Sequence, residues 1–69
     1  MLIKTANQLS LGDVFKRIGC DEREWAVVIG FSKRKHVKAK KLAEFYNGLE
    51  VVVQPRASIR YEVKEASDA

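Results

Sequence analysis

Polar and apolar positions along the chain fall into five stretches with strand or helix periodicity. Ile59, Tyr61 and Val63 alternate with Arg60 and Glu62, the period-two pattern of a strand with one buried face. Segments 25–31 and 49–54 are rich in β-branched and aromatic residues, and turn formers bound them, so both predict strands. Pro55 then falls between two strands, where its missing N–H does no harm.

The other two stretches read in two ways. Segment 35–46 alternates as a strand, with Val37 and Ala39 on one face and His36, Lys38 and Lys40 on the other, until the pattern breaks at Lys41-Leu42. Read as a helix, it places Leu42, Phe45, Tyr46 and Leu49 at i, i+3, i+4 and i+7, with Asn47-Gly48 as its stop. The same Asn-Gly is a strong hairpin signal. Ser10-Leu11-Gly12-Asp13 resembles a capping box ahead of a helical stripe of Leu11, Val14, Phe15 and Ile18. Against that helix, Gly12 weakens the first turn, and Val14 and Ile18 prefer strand. Residues 1–8 read as a leading segment and 65–69 as a flexible tail, leaving a single domain with its core over about residues 10–64.

Two folds accommodate these elements. The first is mostly β: strands opening at Gly12-Asp13-Val14-Phe15, at 25–31, at a basic 35–42, at 49–54 and at 59–63, with Pro55-Arg56-Ala57-Ser58 as a short helical turn. The Gly-Asp strand opening, the Trp25-Ala26-Val27-Val28 strand and the closing turn before Ile59-Arg60-Tyr61-Glu62-Val63 resemble small five-stranded SH3-like barrels, in particular those common in phage and prophage genomes. The second is α+β, with helices at 10–19, 21–30 and 33–47 before a hairpin from 49 to 63. Ala26 and Gly30 stand four apart, and Ser32 is placed to cap a basic helix. This arrangement resembles the Cro-type phage repressors, which set a helix-turn-helix before a β-hairpin. Here Val37 falls one place later than that motif's next apolar position, and the strand-like run from Trp25 to Ile29 also counts against a helix.

Size and composition narrow the function classes. A 69-residue chain buries only about 60% of its unfolded surface, room for one modest core, and a second copy could cover what remains exposed, so a homodimer is possible. The single cysteine, Cys20, forms no intrachain disulfide, Met1-Leu2-Ile3-Lys4 lacks the features of a signal peptide, and the longest apolar run, Trp25 to Ile29, is far too short to span a bilayer. Together these predict a cytoplasmic protein without membrane contact.

Charge distribution changes the picture more. Lys33, Arg34, Lys35, Lys38, Lys40 and Lys41 account for six of the thirteen Lys and Arg; the other seven face nine carboxylates, so the net charge of +4 resides wholly in this segment. A localised basic patch on a mildly acidic body is the electrostatic footprint expected for a polyanion, and otherwise a solvated face that keeps the protein soluble. Arg56 and Arg60 add positive groups near the closing turn.

Catalytic and metal chemistry find little support. The one histidine, His36, lies among lysines, with no Gly-x-Ser-x-Gly elbow to present a nucleophile. One His and one Cys cannot supply a zinc cage, Asp21-Glu22-Arg23-Glu24 is too short for a calcium loop, and the four glycines stand apart rather than forming a phosphate cradle. Acidic neighbours disfavour a thiolate at Cys20. A non-enzyme without cofactor or metal is expected. So small a core claims most aromatics, placing Trp25, Phe15, Phe31 and Tyr61 inside and leaving Phe45 or Tyr46, next to the lysines, as a stacking or interface residue.

The function expected is therefore nucleic-acid binding, to DNA or RNA, through Lys33, Arg34, Lys35, Lys38, Lys40 and Lys41 with Tyr46 and Arg56. The competing expectation is a protein-interaction module, such as a phage-type modulator or inhibitor docking on an acidic host protein.

Overall fold

Glycines and polar turns divide the described residues, 2–64, of a computed structural model into six short strands, and the strands lie antiparallel in one sheet. In chain order they are β1 (Leu2–Thr5), β2 (Val14–Arg17), β3 (Ala26–Phe31), β4 (Val37–Lys41), β5 (Glu50–Val53) and β6 (Arg60–Lys64). Three single turns of 3₁₀-helix, at Ala6–Gln8, Glu22–Glu24 and Glu44–Tyr46, sit in the connections, and the described residues contain no α-helix. The fold is mostly β, and the helix-turn-helix arrangement does not form. The tail expected over 65–69 lies outside the described residues.

Strand order across the sheet is β1-β6-β2-β3-β4-β5. Strands β2 to β5 form a meander, and β6 returns beside β2, pairing Phe15 with Val63 and Arg17 with Tyr61. The leading segment is a sixth strand: β1 pairs along β6 from Leu2 opposite Val63 to Thr5 opposite Arg60. No ladder joins β1 to β5, so the sheet is open with these two strands as its edges. A bulge between Val28 and Gly30 interrupts the β3–β4 register, the feature that lets a strand bend and twist more strongly.

Alternation along each strand builds the core. Ala26 and Val28 of β3, Val37 and Ala39 of β4, Phe15 of β2 and Tyr61 and Val63 of β6 are buried, joined by Ala6 and Leu9 from the first connection. Phe15 and Tyr61 meet edge to face, with ring centroids 5.4 Å apart. In β4 the period-two rule puts Lys38 and Lys40 in solvent and brings Lys41 to the inner side at the strand's end.

The aromatics divide differently from expectation. Phe15 and Tyr61 are core, but Phe31 is 47% exposed and Trp25 only half-buried. Trp25 precedes the inward Ala26 and so faces outward, where the ammonium groups of Lys16 and Lys64 lie 5.2 and 5.5 Å from its ring centroid. Its indole N–H donates to Glu22 at 2.6 Å.

Connections explain the remaining differences. Residues 42–49, whose spacing allows a helical stripe, hold only the turn Glu44–Tyr46, which ends at Asn47 in the left-handed conformation (φ 48°). Leu42, Phe45 and Leu49 consequently stay exposed. Ser10-Leu11-Gly12-Asp13 does place an Asp13 carboxylate oxygen on the Ser10 N–H at 2.9 Å, but Asp13 N–H returns to the Ser10 carbonyl at 3.0 Å and closes a tight turn instead of a helix. After Pro55 the chain makes a plain turn, not a helical one, with Ile59 N–H on the Arg56 carbonyl.

Candidate nucleic-acid interface

The β3–β4 hairpin carries the basic segment on a hydrogen-bonded turn. Ser32 organises it: the Ser32 N–H donates to the His36 carbonyl at 2.9 Å, the Lys35 N–H to the Ser32 carbonyl at 3.0 Å, and the His36 N–H to the Ser32 hydroxyl at 3.0 Å. Three consecutive cations, Lys33, Arg34 and Lys35, are thus presented from a defined backbone. Lys35 has φ 64°, a conformation that costs an L-residue roughly 1–2 kcal/mol and that hairpins of this length normally give to glycine.

Beyond the turn, Lys38 and Lys40 extend the positive surface along the outward face of β4. Lys38 lies opposite Gly30 on one side and Val52 on the other, the latter 63% exposed. Lys40 lies opposite Val27 and Glu50, and its stem runs over Gly48, where an added Cβ would come within 3.1 Å of it. Val37 pairs with Val53, so β5 ends beside the turn, and the following loop carries Arg56 into solvent at the same end of the sheet, its guanidinium donating to Gln54 at 3.0 Å.

Two of the residues expected at the site lie elsewhere. The Lys41 ammonium is 2.9 Å from a Glu24 carboxylate oxygen and also donates to the Glu24 carbonyl at 3.3 Å. The Tyr46 hydroxyl donates to the other Glu24 carboxylate oxygen. These hydrogen bonds, that from Tyr46 foremost and that from Lys41 next, hold the Glu24 carboxyl below its ordinary value, and the same contact raises the Tyr46 phenol. Lys41 and Tyr46 therefore tie the last turn to the β2–β3 connection. Phe45, beside them, is 76% exposed and has the Arg23 guanidinium 6.0 Å from its ring centroid, at the end of β4 remote from the basic turn.

Ion pairing sets the cations of the hairpin apart from Lys4, Lys16, Arg23 and Lys41. The ion pairs among the described residues are Lys4–Asp13, Lys16–Glu62, Arg23–Asp21 and Lys41–Glu24. None includes Lys33, Arg34, Lys35, Lys38, Lys40 or Arg56. His36 is half-buried beneath the turn, and Cys20 is exposed after β2. Among the described residues no three His, Cys, Asp or Glu side chains group as metal ligands, and no helix is long and apolar enough to cross a membrane.

Neither a protein-family model, nor a curated protein, nor a solved structure matches the chain.

Proposed function

We propose that this protein binds nucleic acid, DNA or RNA, through the tip and outward face of the β3–β4 hairpin, with little sequence preference. One observation carries the reading: Lys33, Arg34, Lys35 and Lys38 sit on a hydrogen-bonded turn and its adjoining strand without a carboxylate partner among the described residues. Such cations gain by neutralising phosphates, because each contact releases condensed counterions. A lysine kept at φ 64° supports the same reading, since glycine would relieve the backbone but remove the charge. The hairpin acts by positioning charge and has no chemical step. As to fold, we read the meander with β6 returned beside β2, and the bulge in β3, as a partly open barrel of the SH3-like kind with an added N-terminal strand. A cytoplasmic location belongs to the same reading, with the lone Cys20 left as a free thiol.

The exposed Phe45, with Leu42 and Leu49, favours a second reading, a protein-interaction module. Binding of labelled single-stranded and duplex oligonucleotides at low salt, together with a pull-down after nuclease treatment, separates the two. Nucleic-acid binding predicts direct retention of both oligonucleotides and loss of co-purifying material on nuclease treatment. A protein partner predicts feeble retention and a partner that persists.

A further inference from the structure

The open sheet leaves a pocket on its inner side, of about 230 Å³, where β5 faces β2 and β6. Its floor is apolar: Phe15, Ala26, Val51, Val53 and Tyr61. Charged side chains stand at its edge, and most of them are already engaged. Lys16 is paired with Glu62 at 2.7 Å, and Lys41 with Glu24 at 2.9 Å.

Arg17 is the exception. It lies directly opposite Tyr61 in the β2–β6 ladder, so the two side chains leave the sheet on the same side, and both line the pocket. Among the described residues Arg17 makes no ion pair, and the Tyr61 hydroxyl makes no hydrogen bond; the residue is 6% exposed, and its hydroxyl oxygen reaches solvent. A guanidinium and a phenol, both with donors to spare, thus stand side by side over an apolar floor. An apolar body fits the floor and a carboxylate fits the two donors, because guanidinium–carboxylate hydrogen bonds are charge-assisted and directional. The volume lies below that of drug-sized sites, which limits the occupant to a small molecule.

We propose that this pocket binds a small apolar carboxylic acid, with its aromatic or branched body against Phe15, Val51 and Val53 and its carboxylate between Arg17 and the Tyr61 hydroxyl. The site is separate from the basic hairpin tip and stands whether or not that tip binds nucleic acid.

Phenylacetate is a suitable probe, with 2-phenylethanol and phenethylamine as the neutral and cationic counterparts. Titration of the ¹⁵N-labelled protein should shift the amides of Phe15, Ala26, Val51, Val53 and Tyr61 while leaving those of 33–38 in place. Phenylacetate should bind about tenfold more tightly than 2-phenylethanol, the effect of one charge-assisted hydrogen bond, and phenethylamine should bind most weakly. Arg17→Gln, at an exposed position, should abolish the preference for the acid while leaving the alcohol's affinity unchanged. Tyr61→Phe should weaken phenylacetate alone. The proposal is overturned if phenylacetate leaves the five pocket amides unmoved, if all three probes bind alike, or if Arg17→Gln keeps the preference for the acid.

Discussion

Lys35 donates its backbone N–H to the carbonyl of Ser32 at 3.0 Å, and the turn so closed holds Lys35 at φ 64°. This bond closes the backbone turn that carries three cations, and it does so with a residue ill suited to the conformation. Lys35→Gly should relieve strain of roughly 1–2 kcal/mol, while glycine's greater freedom in the unfolded chain takes back about half. A net gain of about 0.5 kcal/mol corresponds to a rise in Tm of about 3 °C for a domain of this size. Oligonucleotide affinity should fall in the same variant. Differential scanning calorimetry paired with fluorescence anisotropy checks both, and a variant that loses stability would contradict the strained-turn interpretation.

Lys40 and Lys41 are neighbours in sequence with opposite tasks. Lys40 faces solvent, whereas Lys41 meets Glu24 on the inner side. Lys40→Ala should lower nucleic-acid affinity and leave thermal stability nearly unchanged, since exposed substitutions usually fall within about 0.5 kcal/mol. Lys41→Ala should do the reverse, because it strips a half-buried carboxylate of one of its partners. Urea unfolding and anisotropy on the two variants give the comparison; equal losses of affinity would place Lys41 in the binding surface after all.

Stability should form a plateau in pH with two distinct shoulders. The Glu24 carboxyl is held below its ordinary 4.5 by Tyr46 and Lys41, and Asp21 below 3.8 by the Arg23 N–H. Their stabilisation is complete above those ordinary values and is lost as pH falls towards the lowered ones. On the alkaline side, the Lys16 ammonium is raised above 10.5 by its bond to Glu62, and burial raises the Tyr61 phenol above 10.0. Their contribution is present below those values and lost as pH rises through the raised ones. Thermal unfolding across pH should therefore show reduced acid sensitivity in Glu24→Gln and reduced alkaline sensitivity in Tyr61→Phe. Unaltered shoulders in both variants would contradict these assignments.

Much of the sheet is visible in the pattern of residues, for reasons these residues make plain. The alternation of Ile59 to Val63 and of Val37 to Ala39 sets inward and outward faces that the strands keep, and the run of cations on one edge of that alternation marks the hairpin tip. β1 is less visible because four residues, Leu2 to Thr5, give too few periods to distinguish a strand from a leading segment. Phe31 and Trp25 have the hydrophobicity of core residues, yet Phe31 ends β3 opposite the buried Val37 and is left exposed at the margin of the core, and Trp25 lies one place ahead of the inward Ala26 and so faces out. The helical spacing of Leu42, Phe45, Tyr46 and Leu49 misleads because β4 runs through Lys41 and leaves too short a connection before Glu50 for a full helix. The Lys41–Glu24–Tyr46 contact joins positions up to 22 residues apart, a relationship no local pattern encodes.

Salt dependence decides whether the hairpin cations meet phosphates. The logarithm of the association constant for a duplex oligonucleotide should fall linearly with the logarithm of salt concentration, with a slope of roughly −0.9 for each phosphate neutralised. Lys33→Ala/Arg34→Ala/Lys38→Ala should flatten that slope by about three units and weaken binding broadly across sequences, with thermal stability little changed. An unmutated protein that shows no retention on oligonucleotides at low salt, or a triple variant with the parental slope, would contradict nucleic-acid binding through this hairpin.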